Sequence, residues 1–179
     1  MISIQKKFRL LASVSLVLLA TACEQQQTKE LNATAAGMSD CEKIDALIAA
    51  HQNGFEKIRY SKQSTNKMDI WRSRYHLVGN NCQIWSWGKG NSDYVCSLIS
   101  PDEDIARERF QKAKTTTRQC LDSSWKLTES TRKIGNGSKI VFSQNGNNTV
   151  VATHVVETRG VFNSEWATYY FIGDRSDQI

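Results

Sequence analysis

The sequence predicts an α+β fold, a single two-layer domain in which a mostly antiparallel sheet carries two helices on one side. Three observations support this expectation. Apolar residues recur at three- and four-residue steps in two separate segments, and several short alternating runs follow each segment. Four cysteines fall among these segments, so we expect the domain to be stapled by disulfides. Because helix and strands occur twice in the same order, the pattern also suggests two tandem helix-plus-strands units.

The first helix is expected over residues 40–60, and Ser39 or Asp40 can cap its start. One face of this segment carries apolar or aromatic residues at helical spacing, namely Ile44, Leu47, Ile48, His51, Phe55 and Ile58. A half-buried strand should follow over residues 71–78, where Trp71 begins one face and Arg72 the other.

The next two predicted strands, residues 82–87 and 93–98, flank Gly88-Lys89-Gly90. This loop has glycine where a hairpin needs a positive φ. A three-residue loop would place Ile84 opposite Tyr94 and Cys82 opposite Cys96. Opposed side chains in antiparallel strands have Cβ atoms about 4.5–5.5 Å apart, which is close to disulfide range.

The favoured disulfide pattern is therefore Cys82–Cys96, which leaves Cys41 to pair with Cys120. The competing pattern joins Cys41 to Cys82 and Cys96 to Cys120. Zinc is a poor alternative, because no two cysteines have C-x-x-C spacing and no two histidines have ligand spacing. We therefore expect no metal and no cofactor.

The second helix is indicated by Ser100-Pro101-Asp102-Glu103, in which Ser100 can cap and Glu103 can complete a capping box. Its apolar face is Ala106, Phe110, Ala113, Thr117 and Cys120. Four strands should follow, at residues 125–130, 139–144, 149–158 and 165–172.

This repeated layout resembles that of small secreted inhibitors with tandem helix-plus-sheet units, such as the β-lactamase-inhibitor-protein fold. The resemblance covers the order of the elements. No motif places the globular domain in that family, and no residue role is carried over from it.

The N-terminus has the layout of an export signal. A basic start with Lys6, Lys7 and Arg9 precedes an apolar run at residues 10–19 and the small residues of 20–22. This stretch resembles the lipobox of bacterial lipoproteins, and the resemblance implies that Cys23 carries diacylglycerol and an N-linked acyl chain. The family usually has Leu three positions before the cysteine, whereas this chain has Ala20.

The alternative is ordinary secretion, since Ala20-Thr21-Ala22 is also an A-x-A cleavage site and would leave a periplasmic protein. A transmembrane anchor would need about 20 apolar residues, and this run is shorter. In such lipoproteins an Asp after the cysteine favours the inner membrane. Glu24 therefore favours the outer membrane, with the protein facing the periplasm.

These boundaries divide the chain into a signal peptide at 1–22, a lipidated cysteine and flexible tether at 23–39, a globular domain at 40–174 and a tail at 175–179. The tether is rich in Gln, Thr, Ala and Asn, a composition that buries little apolar surface.

The positive charge of the chain does not indicate nucleic-acid binding. The formal charge is +5, from 23 basic and 18 acidic residues. Without the three basic residues of the signal, 20 basic residues stand against 18 acidic ones, a net charge of about +2. The sequence contains no aromatic RNA-binding motif or clustered Lys/Arg stripe.

No pattern indicates an enzyme. A nucleophile–base pair would need a histidine near a hydroxyl or thiol. We interpret His51 as a partly buried helix residue, His76 as a solvated strand residue, and His154 as lying on the other strand face from Glu157. The chain has no G-x-S-x-G, H-E-x-x-H or Walker motif.

Aromatic and arginine side chains give the best functional signal. In the predicted register, Trp85 and Trp87 point away from the disulfide face, and they could lie near Trp71, Arg72 and Arg74. Trp, Tyr and Arg are enriched at binding hot spots. The alternative is that the tryptophan face is the core of the domain.

The leading functional expectation is a lipid-anchored envelope binding module without catalysis and with a protein partner in the periplasm. Its specific form is an immunity or inhibitor lipoprotein that neutralises a periplasm-acting toxin or hydrolase. The alternative is a structural or assembly accessory of an envelope machine, such as a secretion system or pilus.

Overall fold

The computed structural model describes residues 29–64, 67–87, 91–132, 134–159 and 164–174. The expectations for the signal peptide 1–22, Cys23, the loop 88–90 and the tail 175–179 lie outside these residues. The chain divides into two compact units, Met1–Gly37 and Met38–Ile179.

In the first unit, residues 29–37 form a helix, α1, that the sequence analysis did not predict. Alanine, the best helix former, occurs at three positions of this segment, and the Thr34 hydroxyl donates to the Glu30 carbonyl at 2.9 Å. Whether residues 23–39 act as a tether stays a prediction. Among the described residues, no helix combines the length and hydrophobicity needed to span a membrane.

The second unit has the order helix, four strands, helix, four strands. Its elements are α2 (Asp40–His51), β1 (Arg59–Ser64), β2 (Asp69–Ser73), β3 (Asn81–Trp87), β4 (Asn91–Ser100), α3 (Glu103–Cys120), β5 (Lys126–Thr131), β6 (Gly137–Ser143), β7 (Thr149–Arg159) and β8 (Ser164–Asp174). The strands form one antiparallel sheet in the order β1-β2-β3-β4-β8-β7-β6-β5. The predicted α+β fold with a mostly antiparallel sheet is confirmed.

The hydrophobic core lies between the sheet and the two helices α2 and α3. Buried residues of both helices, such as Leu47 and Phe110, belong to one cluster with buried strand residues such as Ile84, Tyr94 and Tyr170. Because strand side chains alternate, a strand that contributes to this core does so with every second residue. We call this side of the sheet the helix face and the opposite side the outer face.

The first helix is shorter than predicted, and a strand that was not predicted follows it. Ser39 caps α2 in a capping box with Glu42, but the helix ends at His51. Gly54 and Phe55 then adopt positive φ angles of 59° and 61°, which a continuing helix excludes. Residues 59–64, expected to be partly helical, form the edge strand β1.

The first predicted strand, residues 71–78, is also too long. β2 stops at Ser73, whose side chain accepts a hydrogen bond from the Tyr75 amide at 3.1 Å. Beyond Ser73, the Arg74 amide still donates to the Ile58 carbonyl at 2.9 Å, next to the Arg59–Ser73 pair at the end of β2. At α3, Asp102 caps the helix instead of Ser100, because its carboxylate accepts from the Ile105 amide at 2.9 Å.

Both disulfides have the favoured pairing. Cys82 lies opposite Cys96 on β3 and β4, and the two are bonded. The second bond joins Cys41, at the start of α2, to Cys120, the last residue of α3. The first bond cross-links β3 to β4, and the second cross-links α2 to α3.

Candidate functional site

The outer face carries a depression of about 380 Å³ across the central strands of the sheet. We call the residues that line it the outer-face cluster; they are Trp85, Trp87, Asp93, Val95, Arg132, His154 and Phe171. They belong to β3, β4, β7, β8 and the residue after β5. The cluster therefore crosses the junction where β4 pairs with β8.

Strand register brings these side chains together. Trp85 lies opposite Asp93 between β3 and β4, and Val95 lies opposite Phe171 between β4 and β8. Since Ile84 and Tyr94 point into the core, their chain neighbours Trp85 and Asp93 point to the outer face. Trp85, Trp87 and Phe171 are all half-buried, so each ring keeps part of its surface accessible.

Asp93 is a carboxylate set into the sheet, with a relative exposure of 3%. One of its oxygens accepts a hydrogen bond from the Asp174 amide of β8 at 3.1 Å. Gly173 makes this geometry possible, because a Cβ at that position would overlap the Asp93 carboxylate. The backbone of β8 therefore holds this buried carboxyl group in a fixed position on the outer face.

The opposite end of the depression is basic. The Arg132 guanidinium contacts Nδ1 of His154, and the His154 ring lies 4.9 Å from the Phe171 ring. Arg132 also donates from Nε to the Ile134 carbonyl at 3.2 Å. Ile134 is 82% exposed and stands beside this basic end.

The structure separates Trp71 from Trp85 and Trp87, so the predicted grouping of these three tryptophans is wrong. Trp71 lies opposite Ile84 on the helix face and packs against the core. The Arg59 guanidinium lies 4.3 Å from the centre of the Trp71 ring, and Lys62 Nζ lies 5.1 Å from it. The prediction failed because β2 pairs with β3 in a register that puts Trp71 opposite Ile84. Trp71 therefore lies on the helix face, whereas Trp85 lies on the outer face.

Arg72 and Arg74 have different surroundings. Arg72 lies opposite Gln83 on the outer face and is exposed. Gln83 accepts a hydrogen bond from Trp85 Nε1 at 2.8 Å. Arg72 is therefore the cross-strand neighbour of a residue that bonds to the cluster. Arg74 follows the end of β2, and its guanidinium lies 5.1 Å from the Tyr60 ring.

A second depression, of about 350 Å³, includes Arg72, His76 and Gln83. His76 is half-buried, contrary to the solvated position predicted for it. Burial and the positive charge of Lys43 hold the pKa of His76 below its ordinary value. His76 is therefore biased toward the neutral imidazole.

His51 agrees with its interpretation as a partly buried helix residue. Its Nδ1 lies 2.8 Å from the Thr149 hydroxyl, and its ring lies 5.7 Å from the Phe55 ring. Among the described residues, no group of three His, Cys, Asp or Glu side chains is arranged to hold a metal ion.

Sequence reasoning missed Asp93, Arg132, His154 and Phe171 as site residues. The predicted hairpin register could have found Asp93, because that register already places it opposite Trp85. The other three belong to the second half of the chain. Their position depends on the pairing of β4 with β8, for which the sequence offers no local signal.

Comparisons of the chain with protein-family models, with curated proteins and with solved structures gave no match. The outer-face cluster combines aromatic, cationic and acidic side chains on one surface. The aromatic rings are half-buried, and the Asp93 carboxyl group and the His154 ring are buried beneath this surface. Tryptophan and arginine are residue types enriched at binding hot spots.

Proposed function

We propose that this protein is a lipid-anchored binding module of the bacterial envelope that holds a protein partner on its outer face and performs no catalysis. The outer-face cluster is the single observation that carries this proposal. Three half-buried aromatic rings surround a depression that has Asp93 at one end and Arg132 with His154 at the other. Hot spots of protein interfaces combine these residue types.

Ile134 supports the same proposal. Ile134 is 82% exposed in the free protein. Full burial of its side chain by a partner would contribute about 2 kcal/mol to the free energy of binding. Its carbonyl is tied to Arg132, which also contacts His154. A partner seated on the depression would reach this apolar side chain at its rim.

The rigidity of the surface also favours binding. Cys82–Cys96 fixes the hairpin that carries Trp85 and Trp87, and Asp93 is held by the backbone of β8. A surface already in its bound geometry loses little conformational entropy on association. In this way the disulfides that stabilise the fold would also raise affinity.

We further propose that the two halves of the sheet are tandem helix-plus-strands units. The outer-face cluster belongs to neither half alone, since Trp85 comes from the first half while His154 and Phe171 come from the second. Joining two such units would create a binding surface at their junction.

For the location, we propose a lipid anchor at Cys23 in the outer membrane, with the domain facing the periplasm. The two disulfides support an oxidising compartment. Mass spectrometry of the membrane fraction should find a mature N-terminus at Cys23 that carries diacylglycerol and an acyl chain. An unmodified Cys23 in the soluble periplasmic fraction would favour the secreted alternative.

The partner that we propose is a periplasm-acting toxin or hydrolase, which the protein would neutralise as an immunity or inhibitor lipoprotein. A photoreactive amino acid placed at Ile134 in the full chain tests this in cells. The matched control carries the same group at Ile105, an exposed isoleucine of α3. We expect a one-to-one adduct with an exported effector or hydrolase from position 134 and none from position 105.

Purified protein should then inhibit the captured enzyme. Adducts with large envelope assemblies from both positions would instead favour the accessory of a secretion system or pilus. Capture at position 105 alone would contradict the proposed surface.

A further inference from the structure

A cleft of about 240 Å³ opens on the helix side of the sheet, between α2, α3 and the segment 77–79. Tyr170, a residue of the helix face, forms part of its wall. The cleft is therefore distinct from the outer-face cluster, and an inference about it is independent of the proposed partner surface.

The walls of the cleft are mainly apolar; they include Ile44, Leu77, Val78, Leu98 and Ala113. Leu77, Val78 and Leu98 are only partly buried, so the cleft keeps aliphatic surface in contact with water. Gly79 has a φ of +65°, and a Cβ there would lie 3.1 Å from a methyl group of Leu98. Glycine thus allows the 77–79 segment to close against Leu98.

Two cations stand on the α3 side of this apolar space. Arg109 and Lys112 are three residues apart, so they lie on one side of the helix. The Arg109 guanidinium donates to the Ser100 hydroxyl at 2.7 Å and to the Ile99 carbonyl at 3.3 Å. Both bonds come from Nη1, so the guanidinium is held in place with further N–H groups for a ligand.

Negative charge at the cleft is weaker. Asp40 is the one carboxylate among the described lining residues, and Lys43 Nζ lies 3.8 Å from it. The lining therefore has two cations against one partly neutralised anion. This balance favours an anionic ligand over a cationic one.

The inner end of the cleft offers a hydroxyl pair. The Tyr170 and Thr117 hydroxyls lie 2.8 Å apart and are buried. One hydrogen joins the two oxygens, which leaves the pair a second hydrogen to donate. Burial raises the pKa of Tyr170, so this phenol stays protonated.

We propose that this cleft binds a small carboxylate with an apolar body of about ten non-hydrogen atoms. An apolar cavity of about 150 Å³ is sufficient for benzene. The larger cleft has room for a ring or short chain against its aliphatic walls and for a carboxylate at Arg109 and Lys112.

Calorimetric titration of the full chain in detergent micelles tests this proposal with three matched probes. They are 3-phenylpropionate, its uncharged amide 3-phenylpropanamide, and the cation 3-phenylpropylamine. We expect the acid to bind with a Kd at or below about 1 mM, at least about fivefold tighter than the amide. The amine should give no binding signal.

Three variants and one control locate the site. Lys112→Gln and Arg109→Gln should each weaken binding of the acid about threefold, while Lys57→Gln removes a lysine that does not line the cleft and should have no effect. Thr116→Phe should block the cleft and abolish binding. Lys112 is exposed, so its variant keeps the test valid even if Thr116→Phe fails to fold.

The proposal is overturned if the acid and the amide bind equally, or if a folded Thr116→Phe variant retains binding. It is equally overturned if Lys57→Gln weakens binding as much as Lys112→Gln, or if no probe binds up to 10 mM, about ten times the expected Kd. These outcomes leave the outer-face proposal unaffected, because that proposal is tested through Ile134.

Discussion

The two faces of the sheet are built by the same strands but have different chemistry. In β3, Ile84 is fully buried under the helices, while the next residue, Trp85, keeps part of its ring accessible on the outer face. In β4, Tyr94 places an aromatic ring in the core, whereas its neighbour Asp93 places a buried carboxyl group on the outer face. Side-chain alternation thus allows one strand to supply core packing on one side and an aromatic and polar surface on the other.

The helix face holds most of the features that stabilise the fold. The disulfides join α2 to α3 and β3 to β4, and most of the largest fully buried side chains belong to this side or to the turn after α2. On the outer face, polar side chains are held by hydrogen bonds such as that of the Asp93 carboxylate with the Asp174 amide. Substitutions on the two faces should therefore affect different measurements.

Removing the helix-to-helix disulfide should give the largest loss of stability. Cys41–Cys120 spans 79 residues and Cys82–Cys96 spans 14. Loop-closure entropy predicts losses of about 4.5 and about 3 kcal/mol for the paired Cys→Ala variants. Urea unfolding of the full chain measures both, and a larger loss from the short loop would contradict this ranking.

A matched pair of phenylalanines tests the comparison directly. Phe110 is 1% exposed on the helix face, whereas Phe171 is half-buried on the outer face. Phe110→Ala should lower the free energy of unfolding by about 3–5 kcal/mol, because it leaves a closed cavity. Phe171→Ala should cost less than half as much, because water can fill the space. Equal losses in urea unfolding would mean that the outer face is a second core.

The close approach of Gly173 and Asp93 predicts a non-additive pair. Gly173→Ala should cost about 2 kcal/mol, since the new methyl group overlaps the Asp93 carboxylate. Adding Asp93→Ala removes the obstruction, so the double variant should be little less stable than Asp93→Ala alone. Thermal or urea unfolding of the four proteins completes the cycle. Strictly additive losses would show that the two positions are not coupled.

The smallest expected effect is a pH dependence from His76. Its folded-state pKa is lowered, so the unfolded chain binds more protons at mildly acidic pH. The stabilising contribution is present above the unfolded pKa of about 6.5 and is lost as the pH falls below it. His76→Gln should therefore flatten the loss of stability between pH 7 and pH 5, as measured by urea midpoints. An unchanged pH profile would assign the dependence to other groups.

Local sequence signals predicted the parts of the fold that depend on local geometry. The cap at Ser39, the Cys82–Cys96 register and the strands of the second half could all be identified from spacing and turn residues. The strand β1 was missed because Arg59–Ser64 is a polar edge strand without alternating apolar residues. Its sequence resembles a loop, and only pairing with β2 makes it a strand.

The candidate site was predictable only in its first half. The positions of Trp85 and Trp87 follow from the hairpin register. Trp71 was misplaced because its face depends on how β2 pairs with β3, and Arg132, His154 and Phe171 depend on the long-range pairing of β4 with β8. Such pairings are set by packing of the whole sheet, which a local pattern does not encode.

We propose that the outer face binds the partner and is not needed for folding. The most direct test measures partner affinity and the urea midpoint for Trp85→Ala/Trp87→Ala, using the protein captured through Ile134. We expect the variant to remain folded and to unfold in one cooperative urea transition, while affinity falls at least about 30-fold, as for a hot spot. A variant that fails to fold, or that folds and binds with unchanged affinity, would contradict this account.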